Sequence, residues 1–312
     1  MSTEETKKTV LRFFDEIVNQ QNFSGIREIF APDVVEHEFK PGLFPPPAKQ
    51  QRIGDIVSNV IDQIEAFTLA GEYSAVRVIG TGKPYAEFFG RPAPEKPLAW
   101  TATMIWRVEQ GKIKERWMAF DYLSYMLHYG VIPPLKQIES QQPYTPHYTL
   151  DARPALDQAK QLEPLHRLIE AHRSGDISLL DGVVAPIYKD HGGWIDGLPD
   201  GPEGLKEEVR ILRSAFPDLE LEVTHLFASE KHVTLRMIGT GTHKGEIFGV
   251  PATNKQVSWM TIGIYAVENG RITERWIDGS RMELLRQLDA VPAVPFAPIT
   301  SVGPDLLTLG DR

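Results

Sequence analysis

The sequence predicts an α+β fold built from two tandem copies of one domain. Three observations carry that expectation. Val76-Arg77-Val78-Ile79-Gly80-Thr81-Gly82 is answered by Leu235-Arg236-Met237-Ile238-Gly239-Thr240-Gly241, and Glu115-Arg116-Trp117 by Glu274-Arg275-Trp276. This spacing of 159 residues holds without a gap across 76–122, where 20 of 47 positions are identical, so the chain repeats itself. Within each copy apolar residues recur first at helical spacing and then at a period of two, and helices followed by a strand meander make an α+β domain, not a doubly wound one.

Taken in order, Thr9, Val10, Phe13, Phe14, Ile17 and Val18 predict a first helix, matched in the second copy by Leu162, Leu165, Leu168 and Ile169. A short second helix is expected to end at Ala31-Pro32 and at Ala185-Pro186, where proline cannot continue it. A third helix is expected over 53–64 and over Pro202–Ala215. Strands follow at 72–82, 86–91, 98–109 and 112–120, with counterparts 159 residues later. Gln110-Gly111 and Asn269-Gly270 between strand-like runs mark hairpin turns.

The front halves match at a spacing of 154, through Phe30-Ala31-Pro32 with Glu36-His37 and Val184-Ala185-Pro186 with Asp190-His191. The second copy therefore carries five more residues, placed in the Gly- and Pro-rich stretch 192–204. The division that follows is a domain over 1–135, an ordered, non-helical linker over 136–154, a second domain over 155–290 and a Pro-rich tail over 291–312.

Of 312 residues, 42% are hydrophobic and 24% charged, the balance of a globular protein. A net charge of −9 disfavours nucleic acid as a partner. The absence of cysteine excludes disulfides, thiol nucleophiles and Cys-bound metal. No apolar run reaches the roughly 20 residues of a membrane span, and Met1-Ser2-Thr3-Glu4-Glu5 does not read as a signal peptide. The expectation is a cytoplasmic protein acting on a small molecule. Asp190, His191, Asp196 and Asp200 crowd together, but with neither the helical His pair nor the calcium-loop spacing, so no metal is expected. Mixed signs across Lys206, Glu207, Glu208, Arg210 and Arg213 predict a solvated helix face.

The run Gly239-Thr240-Gly241-Thr242-His243-Lys244-Gly245-Glu246-Ile247-Phe248-Gly249-Val250-Pro251-Ala252-Thr253, with Asn269-Gly270-Arg271-Ile272-Thr273-Glu274-Arg275-Trp276, resembles the SnoaL-like polyketide (ester) cyclases. Phe216-Pro217-Asp218 and Leu284-Leu285-Arg286-Gln287-Leu288 extend the likeness over the second copy, and the first copy shares it from 76 to Pro134. The resemblance implies the cone-shaped nuclear-transport-factor-two-like superfold, with three helices packed on a curved antiparallel sheet in each copy. It also implies two cones packed as an intramolecular pseudo-dimer, and cofactor-free acid–base chemistry. The family's aspartate, four residues after the Trp, falls on Asp121 in the first copy and on Ser280 in the second. There Asp278, two residues away and on the same strand face, is the substitute. The family's Gly-Thr-His is intact at His243 and replaced by Pro84 in the first copy, while both copies keep an earlier histidine, His37 and His191.

The expected function is therefore that of a lyase- or isomerase-type enzyme acting on a small apolar carbonyl compound, by aldol cyclisation or isomerisation. Deprotonating a carbon beside a carbonyl needs a base within hydrogen-bond reach and a donor for the enolate oxygen. Asp121 and Asp278 are the candidate bases, and His37, His191 and His243 the donors. Trp100, Trp117, Trp194, Trp259 and Trp276 are the expected pocket walls, where desolvation would raise a carboxyl toward neutral pH. Arg77 and Arg236 are candidate substrate contacts. Plainer readings stand beside these: Asp121 as a helix cap, Asp278-Gly279 as a turn, and the arginines paired with glutamates on the sheet. The rival functions are a non-catalytic carrier of a small hydrophobic ligand and an epoxide-opening addition of water. The latter needs an Asp-Arg-Asp arrangement that neither Arg77 nor Arg236 supplies.

Overall fold

Two sheets, one from each copy, stack face to face in the computed structural model, which describes residues 3–37, 56–143, 145–146, 149–151, 153, 155 and 157–291. The first contains β1 (Phe30–His37), β2 (Val57–Ala70), β3 (Tyr73–Pro84), β4 (Leu98–Glu109), β5 (Lys112–Phe120) and β6 (Thr149–Asp151), ordered β1-β5-β4-β3-β2-β6. The second contains β7 (Val184–Asp190), β8 (Glu220–Ala228), β9 (His232–Thr242), β10 (Gln256–Glu268) and β11 (Arg271–Gly279), ordered β7-β11-β10-β9-β8. β2 to β5 and β8 to β11 are antiparallel meanders, and β1, β6 and β7 join them in parallel. The linker thus contributes β6 to the edge of the first sheet.

Both hairpin dipeptides turn as their residues dictate. Gln110 and Gly111 have φ of 51° and 73°, and Asn269 and Gly270 repeat those values, the positive pair that a tight two-residue turn requires. Helices cover one face of each sheet: α1 (Thr3–Arg12) with a π-helical continuation over Phe13–Asn19, α2 (Ile26–Ile29), α3 (Tyr122–His128), α4 (Gln158–Ser174), α5 (Pro202–Ala215) and α6 (Arg281–Gln287).

The structure corrects four expectations. The segment predicted as helix over 53–64 is strand β2 from Val57 onward, with 53–55 outside the described residues. Its Val60, Ile61 and Ile64 are stiff, β-branched residues that suit a strand. Segment 86–91 is a tight turn closed by the single bridge Phe88↔Arg91, repeated at Ile247↔Val250. Pro32 and Pro186 do not stop helices but sit inside β1 and β7, edge strands where a missing N–H is tolerated. Strand β8 was not expected at all. The Pro-rich tail lies outside the described residues from 292 on.

The repeated Gly-Thr-Gly has a packing cause. Gly80 pairs with Trp100 across β3 and β4, and Gly239 with Trp259 across β9 and β10. An added Cβ would stand 2.0 Å from Trp100 Nε1 and 2.6 Å from Trp259 Cε2. Each indole therefore lies across a bare backbone, inside its own cone.

Pleating sends alternate residues to the two faces, and here both faces are buried. In the first copy Val76, Val78, Trp100 and Trp106 join the interior cluster with Phe13, Phe14 and Phe30. On the opposite faces Ala66, Ala75, Ile105, Trp117 and Ala119 meet Phe227, Met260, Ile262, Ile264, Ala266 and Trp276, sealing the sheets together.

Candidate active site in the second cone

Helix α4 buries Leu165, Leu168, Ile169 and His172 on one face, and α5 buries Leu205, Glu208, Val209 and Leu212. Both sets follow the three- and four-residue steps of a core-facing helical stripe. His172 and Glu208 are thereby carried into the cone as the polar members of apolar stripes, and Glu208 is 2% exposed, contrary to the solvated face expected for it. β11 supplies the partner: between Trp276, on the inter-sheet face, and Glu274, Arg275 turns into the cone and is 2% exposed.

These groups form one ionic chain. Arg275 Nη1 donates to Glu208 Oε1 at 2.8 Å and Nη2 to Oε2 at 2.7 Å, a two-pronged pairing. Arg275 Nε donates to Asp190 Oδ2 at 3.1 Å, and Tyr188 Oη donates to the same oxygen at 3.2 Å. His172 Nε2 lies 3.5 Å from Glu208 Oε1, while its Nδ1 lies 2.9 Å from the Leu168 carbonyl. A carbonyl only accepts, so Nδ1 carries a proton and exchange is confined to Nε2. Burial pushes the Glu208 carboxyl up, but Arg275 and then His172 outweigh it and hold it at about 2. Burial raises the Tyr265 phenol to about 12, so it stays a donor at neutral pH.

A narrow, mostly apolar pocket opens onto this chain. Leu212, Leu221, Met237, Trp194, Trp259 and Ile277 line it, with His172, Glu208, Tyr265 and Arg275 as polar members. Its empty volume is about 470 Å³, the part open to solvent included. Trp194 stands in the Gly- and Pro-rich stretch 192–204, and Trp259 is the indole laid across Gly239.

The other sequence-predicted residues lie elsewhere. Asp121 caps α3, accepting from the Ser124 N–H at 3.2 Å; it stands 3.9 Å from Arg281 of the second copy. Burial pushes its carboxyl up, with Arg281 opposing. Asp278 lies between the sheets, where Thr101 and Thr103 each donate to it at 2.5 Å and Arg77 Nε at 3.1 Å. Arg77 also pairs with Glu65 on the neighbouring strand. Arg236 receives no pocket role either: its Nη1 donates to Thr224 Oγ1 at 2.7 Å.

His37 stacks on Trp117 with rings 4.4 Å apart, and His191 on Trp276 at 4.7 Å. Each histidine also meets a glutamate, Glu115 at 2.7 Å and Glu274 at 2.6 Å. Trp117 and Trp276 therefore belong to the inter-sheet layer, not to pocket walls. His243 is fully buried beside Phe216 and outside the lining; its Nδ1 accepts from the Thr253 N–H at 3.2 Å. Trp100 is interior to the first cone. His172, Glu208, Arg275 and Tyr265 went unremarked as site residues in the sequence. For Arg275 the signal was the parity of Glu274-Arg275-Trp276, which puts the arginine and the indole on opposite faces.

The first cone differs in content. Arg116 pairs with Glu36, as Arg275 does with Asp190. By the spacing of buried helical positions, Ile17 stands where His172 does, and Trp106 occupies the register position of Tyr265.

The sequence profile of the SnoaL-like polyketide cyclases matches residues 8–128 and again 164–288. Among solved structures, TsrD from Streptomyces laurentii is 28% identical, with 44% of this chain and 99% of that one covered and a TM-score of 0.41. IdmH from Streptomyces antibioticus is 28% identical over 40% of this chain and 96% of its own, with a TM-score of 0.36. A SnoaL-like polyketide cyclase from Agrobacterium tumefaciens is 18% identical over 40% and 94%, with a TM-score of 0.35. No protein of curated function matches the chain. Among the described residues, no helix is long and apolar enough to cross a membrane.

Proposed function

Starting from a chain that belongs to the SnoaL-like polyketide cyclase family, we propose that its second cone performs cofactor-independent acid–base chemistry on a small, largely apolar carbonyl compound. The observation that carries this reading is one ionisable imidazole at the foot of an apolar pocket, with a single ring nitrogen free for exchange and a fixed carboxylate beside it. His172 Nε2 takes a proton from the carbon next to the carbonyl. Glu208, held ionised by Arg275, lies 3.5 Å from the same nitrogen and stabilises the positive charge that the ring acquires. The Tyr265 O–H donates to the enolate oxygen, the charge that most needs a partner.

In ring closure the enolate carbon bonds to a second carbonyl of the same molecule, and the new alkoxide takes back the proton from His172. In isomerisation the proton returns to a different carbon. Neither course needs an oxidant, a reductant or a second substrate. The apolar walls exclude water and strengthen each of these interactions. Asp278 and Asp121 are assigned to the seam between the copies and to a helix cap, so neither acts as the base.

The test is solvent-deuterium incorporation into 2-tetralone, whose acidic protons flank a carbonyl on an apolar ring. The wild-type protein is expected to accelerate incorporation at the carbons beside the carbonyl, and His172→Gln to abolish the acceleration. Calorimetric binding of the ketone with no exchange would replace the enzyme with a ligand carrier.

A further inference from the structure

Trp194, a wall of the second-cone pocket, is carried by a loop with little regular structure of its own. Residues 191–201 contain four glycines and a proline and form neither helix nor strand. The ends of the loop are pinned to strands: the His191 N–H donates to the Arg275 carbonyl at 2.8 Å, and the Gly201 N–H to the Tyr188 carbonyl at 2.9 Å. Between them the Trp194 indole is 3% exposed and stands nearly parallel to Trp259, with ring centroids 6.4 Å apart. It rests on the bare backbone of Gly279, where an added Cβ would stand 2.4 Å from Trp194 Cζ3. A glycine-rich segment holds a large side chain in one place only when something outside it fixes the backbone.

The outside group is the linker between the copies, and Asp196 is where it takes hold. The Asp196 N–H donates to the Gln137 carbonyl at 3.0 Å, and Asp196 Oδ2 accepts from the Glu139 N–H at 2.9 Å. The same oxygen accepts from Nη1 of Arg281, the first residue of α6, at 2.9 Å. Asp121 stands 3.9 Å from Arg281, beyond hydrogen-bond reach, so Asp196 is the nearer anion. One carboxylate, two residues from the indole, thus ties loop, linker and helix together through charge-assisted bonds.

The linker also packs beside the indole on its other flank. Leu135 and Ile138 close a single bridge, and Ile138 is buried in the same apolar cluster as Trp194 and Ile195. Lys136 runs against Gly249, where an added Cβ would stand 3.2 Å from Lys136 Cβ. The neighbouring Phe248 meets Trp194 edge-on with centroids 6.4 Å apart. Both segments that flank the indole are therefore held by chain from outside the second copy.

We propose that Asp196 is a positioning residue for the second cone: by clamping the linker and Arg281 to the loop of residues 191–201, it holds Trp194 in place as a wall of the pocket. The inference rests on that pocket being the site of reaction. It gives the linker a part in the chemistry, because a displaced wall misplaces the substrate.

The test follows the six indole N–H signals of full-length protein carrying ¹⁵N-labelled tryptophan as they exchange with deuterated water. The Trp194 signal is assigned by its loss in Trp194→Phe, and its Nε1 is covered by protein in the fold. Asp196→Ala is expected to speed exchange at Trp194 by about tenfold, with Trp100 unaffected. Asp196→Asn keeps an acceptor for Glu139 and Arg281 and should restore most of the protection. Arg281→Gln removes one of the two side-chain bonds, should speed exchange at Trp194 several-fold, and decides the question if Asp196→Ala does not fold. In the 2-tetralone assay Asp196→Ala should raise KM several-fold with kcat within about twofold of wild type, whereas a merely unfolded fraction lowers apparent kcat and leaves KM alone. Unchanged protection of Trp194 in both variants, equal loss at Trp100, or an unmoved KM would overturn the proposal. A wild-type protein inert toward 2-tetralone, with Trp194 still deprotected selectively in Asp196→Ala, would refute the chemistry of the second cone and uphold the clamp.

Discussion

Arg275 grips Glu208 through two parallel N–H···O bonds of 2.8 and 2.7 Å, one residue along the strand from an indole that faces the opposite sheet. Breaking such a buried pair leaves an uncompensated charge, at a cost of about 3–5 kcal/mol. Glu208→Gln is expected to lower stability on that scale and to suppress proton exchange in what remains folded. Urea unfolding at pH 7 beside the deuterium assay measures both.

The same pair sets a pH dependence. Glu208 sits at about 2 in the fold against an ordinary 4.5. A depressed carboxyl stabilises fully above its unfolded value, and that stabilisation is lost as pH falls through 4.5 toward 2. One pKa unit is about 1.4 kcal/mol, so the upper bound is about 3 kcal/mol. Urea midpoints between pH 5 and pH 2 should fall less steeply in Glu208→Gln than in the wild type.

His225 titrates the seam in the same direction at higher pH. Its ring lies 4.3 Å from that of Trp117 in the other copy, and burial, Arg236 and His37 lower it from 6.5 to about 4. A depressed histidine favours the neutral form in the fold, so its contribution is complete above pH 6.5 and declines as pH falls toward 4. His225→Phe keeps a ring against Trp117 and should flatten thermal stability across that window.

Asp278 is predicted to be structural. Asp278→Ala removes three bonds at once and leaves Arg77 buried with less compensation, a loss of about 3–5 kcal/mol. Exchange per folded molecule should be unchanged. Calorimetric melting, with exchange normalised to the folded fraction, separates the two effects.

Gly239→Ala should act through Trp259. The added methyl would stand 2.6 Å from the indole, and such overpacking costs roughly 1–3 kcal/mol. The displaced ring belongs to the pocket lining, so 2-tetralone binding should weaken as well, which calorimetry would register.

The duplication, the meanders and their Gly-containing turns were legible in the sequence because each has a local cause: the repeated Gly-Thr-Gly beneath a tryptophan, and positive φ at Asn269 and Gly270. The cone interior was not legible, for a reason of layers. Two stacked sheets bury both faces of the central strands, so alternation alone cannot tell the face of Arg275 from that of Trp276. The indoles drew attention to the inter-sheet side, where Asp278, Asp121, His37 and His191 cluster near or at the seam. His172 and Glu208 were hidden differently, as single polar residues within helical stripes whose charged neighbours, Glu207 and Arg210, face solvent and pair with each other.

The central claim is that proton exchange belongs to His172 in the second cone and not to the aspartates at the seam. Deuterium incorporation into 2-tetralone, compared between His172→Gln, Asp121→Asn and Asp278→Asn at matched folded concentrations, tests it most directly. The account predicts loss of acceleration in His172→Gln alone, with both aspartate variants retaining wild-type rates. Undiminished exchange in His172→Gln, or its loss in either asparagine variant, would contradict it.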